Sequence, residues 1–208
     1  MLREQLDMTT AATSVSVLKV VVVENDPSIR QLLIDALAKE GGYKVVGQAS
    51  SGTEMVRTVL DLEPDLVLFD IHLPHQDGMA ALREIRKERM VAAVAITTDH
   101  DRELVDLAAE EHVLAYLVWP VKAHQLGPAL QIAWARFQEL QWLMAENVSL
   151  RQTLQNRKII ERAKGVLTKR YRWSEGEAFR RIRYASMNRR VPMVDLAHAI
   201  LSGEEVVL

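Results

Sequence analysis

Five short apolar runs, separated by amphipathic stretches, limit the fold of this chain more than any other feature. The runs are rich in branched aliphatic residues, which predicts strands that are buried on both faces. Strands that alternate with helices form a parallel sheet covered on both sides, a doubly wound α/β fold. The predicted strands are Lys19–Val23, Tyr43–Ala49, Leu66–Phe69, Val91–Ile96 and Leu114–Val118. The predicted helices between them are Pro27–Glu40, Thr53–Leu62, Asp77–Glu88 and Asp101–Glu111.

After Pro120 the strand pattern stops and helical periodicity takes over. From His124 to about Gln155 the apolar residues recur at steps of three and four, which is typical of a long helix with a coiled-coil stripe. The stripe consists of Leu130, Ala133, Phe137, Leu140, Met144, Leu150 and Leu154, and Asn147 occupies a seam position. Two successive three-residue steps interrupt its heptad pattern. The stripe favours pairing with a second copy, and the alternative is a helix packed on its own domain.

Three shorter helices follow the long helix and predict a small all-helical domain. The first helix is Arg157–Tyr171. Ser174 and Glu177 form a capping-box pattern that opens the second. Pro192 opens the third helix and Gly203 ends it. Because a helical domain of about fifty residues is marginal by itself, we expect it to lean on the long helix.

The net charge of −2 conceals two segments of opposite charge. The segment from Arg151 to Asp195 holds 13 Lys/Arg and 4 Asp/Glu, whereas the rest of the chain holds 13 Lys/Arg and 24 Asp/Glu. This split indicates two domains, and the basic one suits either a polyanion partner or a solvated helical surface. The chain has no cysteine, which excludes disulfides and thiolate metal sites. Its apolar runs are too short for a secretory segment or a membrane span, so we expect a cytoplasmic protein.

Carboxylates stand at the carboxyl ends of two predicted strands. Glu24-Asn25-Asp26 follows the first strand and Asp70 follows the third, and these ends meet at the edge where parallel sheets bind ligands. Clustered carboxylates need a proton or a cation, and oxygen ligands of this kind suit Mg²⁺. Thr97, at the end of the fourth strand, lies within reach of a group attached to Asp70. The alternative is that Asp26 caps a helix and Asp70 forms a turn.

These residues resemble the landmarks of response-regulator receiver domains, which have a flavodoxin-like fold. The matching landmarks are Glu24-Asn25-Asp26-Pro27, Asp70-Ile71-His72-Leu73-Pro74, Asp77-Gly78, Thr97, Tyr116 and Trp119-Pro120. The resemblance implies that Asp70 accepts phosphate from a histidine kinase and that Glu24, Asn25 and Asp70 bind Mg²⁺. It also implies that Thr97 and Tyr116 couple phosphorylation to a surface change.

The chain departs from the receiver pattern at two positions. Asn25 replaces a carboxylate, which is expected to weaken the Mg²⁺ site. Trp119 stands where the family has the lysine that pairs with the phosphoryl group, and its indole offers one neutral donor. Two alternatives therefore stay open: an Asp70 that is phosphorylated, and a pseudo-receiver that a partner protein switches.

The basic segment resembles the ANTAR domain. The matching pieces are Arg162-Ala163-Lys164-Gly165-Val166-Leu167, Ser174-Glu175-Gly176-Glu177-Ala178-Phe179, Ala185-Ser186-Met187 and Arg189-Arg190. The resemblance implies binding of paired RNA hairpins and prevention of transcription termination. The predicted RNA contacts are Arg162, Lys164, Lys169, Arg170, Arg189 and Arg190. Tyr171, Trp173 and Tyr184 are candidates for base stacking with core packing as the alternative, and for Phe179 core packing is preferred.

The predicted domains are a mobile tail over residues 1–16, a receiver over 17–125, a linker helix over 126–155 and an ANTAR-like domain over 156–208. The predicted function is a signal-responsive regulator that binds RNA hairpins and promotes antitermination. Its expected partners are RNA, a histidine kinase or other regulatory protein, and a second copy bound through the linker helix, with no membrane. The alternatives are a DNA-binding response regulator and a phosphorylation-independent scaffold. An enzyme is not expected, because no nucleophile arrangement and no glycine-rich phosphate loop is present.

Overall fold

The computed structural model describes residues 17–98, 106, 108–204 and 206. The described residues up to Leu140 form one compact unit, here called the receiver unit, and those from Gln141 onward form a second, the helical unit. The predicted tail over residues 1–16 lies outside the described residues. So does most of the predicted helix Asp101–Glu111, of which residues 106 and 108–110 are described and helical.

The receiver unit is built on a five-stranded parallel sheet of order β2-β1-β3-β4-β5, which confirms the predicted fold class. Its strands are β1 (Leu18–Val23), β2 (Tyr43–Ala49), β3 (Leu66–Asp70), β4 (Ala92–Thr97) and β5 (Ala115–Val118). Alternate residues of a strand face opposite sides of the sheet. Accordingly Val21 and Val67 join one core, whereas Val20 and Leu66 join another. This two-sided burial explains why the central strands are apolar throughout.

Helices cover both faces of the sheet. These helices are α1 (Pro27–Glu40), α2 (Gly52–Leu62), α3 (Gly78–Glu88) and the start of α4 (Ala123–Tyr171). The α2 and α3 side chains pack on one face, and those of α1 and α4 pack on the other. Asp26, Ser51 and Asp77 cap the first three helices, each accepting backbone N–H groups of the first turn.

The long helix α4 is continuous over 49 residues, so the prediction of a separate helix Arg157–Tyr171 is wrong. The sequence has neither proline nor glycine near this point, and Gln152 Nε2 donates to Asn156 Oδ1 at 2.9 Å. The beginning of α4 is fixed to the sheet, because Leu126 and Leu130 are buried and Tyr43 Oη donates to Gly127 O at 3.0 Å. Every residue from 141 to 155, by contrast, is exposed.

The helical unit packs the end of α4 against α5 (Glu175–Arg189) and α6 (Met193–Ser202). Its fully or nearly buried residues are Ala163, Leu167, Ala178, Ile182, Ala185, Leu196, Ala197 and Ile200. Ser174 Oγ accepts from Glu177 N at 3.2 Å, as the capping pattern predicts. The Glu177 carboxylate binds Arg180 and Arg181. No helix in the described part of the chain is long and apolar enough to span a membrane.

Candidate functional site

Neighbouring strands bring Glu24 and Asp70 to one edge of the sheet. In the register of β1 and β3, Val23 pairs with Phe69, so the two carboxylates follow adjacent positions. Glu24 is buried and its Oε1 accepts from Asp26 N at 2.9 Å. Asp70 is half-buried and its Oδ1 accepts from His72 N at 3.1 Å. We call Glu24, Asn25, Asp70 and Thr97 the acidic edge.

Burial sets the electrostatics of the acidic edge. The pKa of Glu24 is raised mainly by desolvation, and the nearby charge of Asp70 raises it further. The pKa of Asp70 is also raised, again mainly by desolvation. Both carboxylates therefore favour a proton or a cation over bare ionisation. Asp26 behaves differently: the N–H groups of Ile29 and Ser28 lower its pKa, so it serves as the cap of α1.

The acidic edge offers an incomplete set of ligands for a cation. In the described part of the chain, no group of three or more His, Cys, Asp or Glu side chains is arranged to hold a metal. Two partly desolvated carboxylates with raised pKa values nevertheless fit a hard cation such as Mg²⁺. The predicted third protein ligand is the amide oxygen of Asn25, and this residue is exposed.

Thr97, Tyr116 and Trp119, the predicted switch and site residues of the receiver, do not share one environment. Thr97 is buried at the end of β4, one residue beyond Ile96, which pairs with Asp70. Tyr116 is half-buried against the core on the α2 and α3 side of the sheet. Trp119 packs on the opposite side, in the core formed with α1 and α4. The structure therefore brings Thr97 to the acidic edge and assigns the two aromatic side chains to different faces.

A glycine fixes the loop that follows Asp70. Gly78 N donates to Ile71 O at 2.9 Å, which closes the loop from Ile71 back to the start of α3. A Cβ at Gly78 would collide with the carbonyl oxygen of Asp70 and with the ring of Phe69. Asp77-Gly78 is one of the receiver landmarks in the sequence. The structure explains this glycine, because a side chain at position 78 would clash next to the acidic edge.

The predicted RNA contacts in the helical unit are exposed with one exception. The exposed ones are Arg162, Lys169, Arg170, Arg189 and Arg190. The Lys164 side chain is only 12% exposed, and its Nζ lies 2.7 Å from Glu161 and 3.6 Å from Glu175. These two carboxylates raise the pKa of Lys164. Lys164 therefore ties α4 to the start of α5.

The aromatic side chains of the helical unit fall into two groups. The rings of Tyr171 and Trp173 stack on each other with centroids 4.6 Å apart, and the Arg181 guanidinium lies 4.3 Å from the Trp173 ring. Phe179 and Tyr184 are 39% and 66% exposed, respectively. The preference for Phe179 in the core was wrong: the smaller Ala178 occupies the inward position beside it.

Sequence reasoning also passed over Arg180 and Arg183, which are exposed on the same helix as Tyr184. Arg183 and Tyr184 follow Arg180 by three and four residues, and Arg183 follows Phe179 by four. These side chains therefore share one outward face of α5. A helical wheel of α5 contains this signal, because the buried set Ala178, Ile182 and Ala185 leaves that face free of core contacts.

Comparison with known proteins gives matches to two family models and similarity to known regulators, which for some extends along almost the whole chain. Residues 20–131 match the family described as response regulator receiver domain, and residues 149–201 match the ANTAR domain. The chain is 37% identical to the transcriptional regulatory protein PdtaR of Mycobacterium tuberculosis over 193 residues, which cover 93% of this chain and 94% of that protein.

Solved structures with the same fold match the receiver unit. One is the signal receiver domain of the response regulator NarL from Mycobacterium tuberculosis, with a TM-score of 0.53, 24% identity and coverage of 56% of this chain and 95% of that one. Another is the response regulator domain of Thermotoga maritima CheB, with a TM-score of 0.53, 24% identity and coverage of 59% and 97%. These similarities support the fold alone.

Proposed function

Since the chain belongs to the response regulators that join a receiver domain to an ANTAR domain, we propose that it binds RNA hairpins and thereby prevents transcription termination. The helical unit binds the RNA, and the receiver unit controls that binding. Such a protein regulates and does not turn over a substrate. Its RNA partner locates it in the cytoplasm.

The observation that carries this proposal is the basic surface of the helical unit. The segment from Arg151 to Asp195 holds 13 Lys/Arg against 4 Asp/Glu, and Arg162, Lys169, Arg170, Arg189 and Arg190 are all exposed. Cations of this kind neutralise phosphates and release counterions, which gives affinity for nucleic acid of any sequence. Exposed aromatic side chains on α5 add contacts that favour unpaired bases over duplex.

Control by the receiver unit acts at the acidic edge. We propose Asp70 as the phosphoacceptor: an Asp70 oxygen attacks the phosphorus of a phosphohistidine or an acyl phosphate, and the bond to the leaving group breaks. Mg²⁺ held by Glu24, Asn25 and Asp70 would neutralise the phosphoryl oxygens. Thr97 lies at the same edge and responds to the phosphoryl group, whereas Tyr116 carries the change towards the outer surface.

A second mode of control is favoured by the position of Trp119. Its side chain packs with α1 and α4, so no lysine reaches the phosphoryl group from this position. A regulatory protein that docks on the receiver unit would then take the place of phosphorylation, and the chain would act as a pseudo-receiver.

Pairing of two chains through α4 links the two units. Between residues 141 and 155 the helix exposes large apolar side chains: Trp142, Leu143, Met144, Val148, Leu150 and Leu154. A seam through Leu143, Asn147, Leu150 and Leu154 has alternating steps of four, three and four residues. The heptad is therefore uninterrupted when the seam position is Leu143 and not Met144. Asn147 at the first heptad position would set the register of a parallel pair. Two paired helical units would bind two hairpins with avidity.

The test is fluorescence anisotropy of the full chain with a labelled tandem-hairpin RNA, at one salt concentration, with and without acetyl phosphate and Mg²⁺. A DNA duplex of equal length serves as the control. We expect the RNA to bind at least tenfold more tightly than the DNA, and phosphorylation control predicts a further gain with the phosphodonor. Equal binding of both nucleic acids would contradict the proposal and favour a DNA-binding regulator.

A further inference from the structure

A shallow groove on the helical unit lies between α4 and the first turns of α5. The residues that line it are Thr153, Asn156, Arg157, Ile160, Glu161, Lys164 and Phe179. We call it the Phe179 groove. All its lining residues belong to the helical unit, so the groove is complete within one chain.

Phe179 is the unusual member of this lining. The inward positions of α5 are Ala178, Ile182 and Ala185, whereas the large ring of Phe179 is left 39% exposed beside the groove. Phe179 is thus a flat apolar surface that the core of the unit does not use. Tyr171 and Trp173, by contrast, already stack on each other and with Arg181. Among these aromatic side chains, Phe179 has a face available for a planar ligand.

The charges around the groove nearly cancel. Lys164 is held by Glu161 at 2.7 Å and by Glu175 at 3.6 Å, so its charge is compensated within the protein. Arg157 is exposed at the rim and makes no ion pair with another described residue. A phosphate in the groove would therefore lie near one cation that is not in an ion pair, Arg157, and near the two carboxylates of Glu161 and Glu175. A neutral ligand with a polar edge suits the floor of this groove better than an anion.

The polar lining supplies hydrogen-bonding groups next to the aromatic face. Thr153 offers a hydroxyl that donates and accepts. The Asn156 amide oxygen accepts from Gln152 Nε2 at 2.9 Å, which leaves the amide N–H groups as its donors. These groups and Phe179 line the same groove. A stacking face beside a donor and an acceptor is the combination with which proteins bind unpaired bases.

We propose that the Phe179 groove binds one unpaired nucleobase of an RNA loop, with the base stacked on Phe179 and its polar edge facing Thr153 and Asn156. The proposal rests on the RNA-binding function proposed above and names a base-recognition site within it. Arg157 at the rim takes the phosphate of the same nucleotide. The exposed arginines elsewhere on the unit supply affinity that is independent of sequence.

The experiment uses the full chain and a tandem-hairpin RNA that the wild-type protein selects from a pool with random loops. Each loop nucleotide is replaced in turn by an abasic one, and affinities are measured by fluorescence anisotropy. Wild-type protein is compared with the variants Phe179→Ala, Phe179→Leu and Phe179→Trp. Met187→Ala is the matched control, because Met187 is an exposed large apolar side chain on the same helix outside the groove and is not among the predicted RNA contacts.

We expect Phe179→Ala and Phe179→Leu to weaken binding by about tenfold to a hundredfold, the loss typical of one stacked base. Phe179→Trp is expected to bind as wild type. An abasic substitution at the recognised position should weaken wild-type binding and have no further effect in Phe179→Ala. Circular dichroism checks that each variant keeps its helix content.

Three results would overturn the inference. The first is undiminished binding by Phe179→Ala and Phe179→Leu, with wild-type protein still binding the RNA, in which case the proposed function stands without this site. The second is an equal loss for every abasic position in both proteins, which would mean that Phe179 reads no particular base. The third is failure to select any RNA, which refutes the proposed function as well and turns attention to a peptide as the ligand of the groove.

Discussion

The acidic edge and the basic surface of the helical unit hold their charges in different ways. Glu24 is buried and Asp70 half-buried, and both are bonded to backbone N–H groups. Arg162, Arg170 and Arg189 of the helical unit stand exposed on the surfaces of helices. Desolvation raises the free energy of each carboxylate charge at the acidic edge. Binding of a single cation or proton there therefore has a large effect on the free energy of the folded state. Water and salt screen the charge of each exposed arginine, so the charge costs little free energy and attracts a phosphate only weakly. Binding therefore needs many arginines together.

This difference indicates how each region depends on a second partner. The acidic edge is assembled by strand register within one chain. The basic surface lies beyond a stretch of α4 whose apolar residues are exposed. We propose that a second copy, paired through this stretch, places two basic surfaces together. Substitutions in α4 should thus affect RNA binding more than any single substitution at the acidic edge.

The largest effect is expected from breaking the seam of α4. Leu143→Glu with Leu150→Glu introduces like charges at facing positions of a parallel pair, and we expect loss of the dimer in sedimentation experiments. The affinity for tandem-hairpin RNA should fall by roughly a hundredfold, because avidity between two hairpins is lost. Affinity for a single hairpin should change little.

The matched control for the seam is Ala145→Glu with Gln152→Glu. These two positions have the same seven-residue spacing and lie on the opposite side of the helix. The control should remain dimeric and bind the tandem RNA as wild type. If both double variants behave alike, the effect comes from charge on the helix and the seam is not the interface.

An intermediate effect is expected at the acidic edge from Asn25→Asp. The substitution adds a third carboxylate next to Glu24 and Asp70, so the affinity for Mg²⁺ should rise about tenfold or more. Isothermal titration with MgCl₂ measures the change. Asn188→Asp makes the same chemical change on an exposed position of α5 and should leave Mg²⁺ binding unaffected. Unchanged affinity in Asn25→Asp would mean that residue 25 takes no part in holding the cation.

The acidic edge could be predicted because its geometry follows from strand ends. Once β1 and β3 are assigned as neighbouring buried strands, Glu24 and Asp70 must meet, and the pattern of apolar residues assigns those strands. The environment of Trp119 could not be predicted in this way. It follows the four-residue strand β5, all of whose residues are half-buried, so no alternation in the sequence tells which face the indole takes.

The helical unit was predicted less completely, for reasons that particular residues explain. The order of its helices follows from Ser174, Pro192 and Gly203, but nothing in the sequence marks a break near Arg157 and the structure has none. Core packing is the prediction for Phe179, and the structure contradicts it. The neighbouring Ala178 takes the inward position, and only the packing of α5 on α4 decides between the two.

The smallest effect, and the most specific to buried charge, is expected from Asp70→Asn without Mg²⁺. The pKa of Asp70 is raised in the folded protein above its ordinary value of 3.8. The folded state therefore binds this proton more tightly than the unfolded state, and stability falls as pH rises from the ordinary to the raised pKa. Asp70→Asn removes this penalty. At pH 7 with EDTA we expect the Tm of the receiver unit to rise by about 4 °C, the shift that ~1 kcal/mol gives for a small domain.

The pH profile separates this electrostatic gain from a change in packing. As pH falls below the ordinary pKa of Asp70, wild-type protein becomes protonated at this position in both states, so the Tm difference should shrink as the pH falls towards 4 and vanish below about pH 3. Mg²⁺ should raise the Tm of wild type and have less effect on Asp70→Asn, because the cation offsets the same buried charge. Asp61→Asn, which removes an exposed carboxylate from α2, serves as the control and should leave the Tm unchanged at both pH values. A Tm gain of equal size at pH 4 and pH 7 would mean that the raised pKa of Asp70 is not its cause. The contrast between the buried charges of the acidic edge and the exposed charges of the helical unit would then be wrong for the acidic edge.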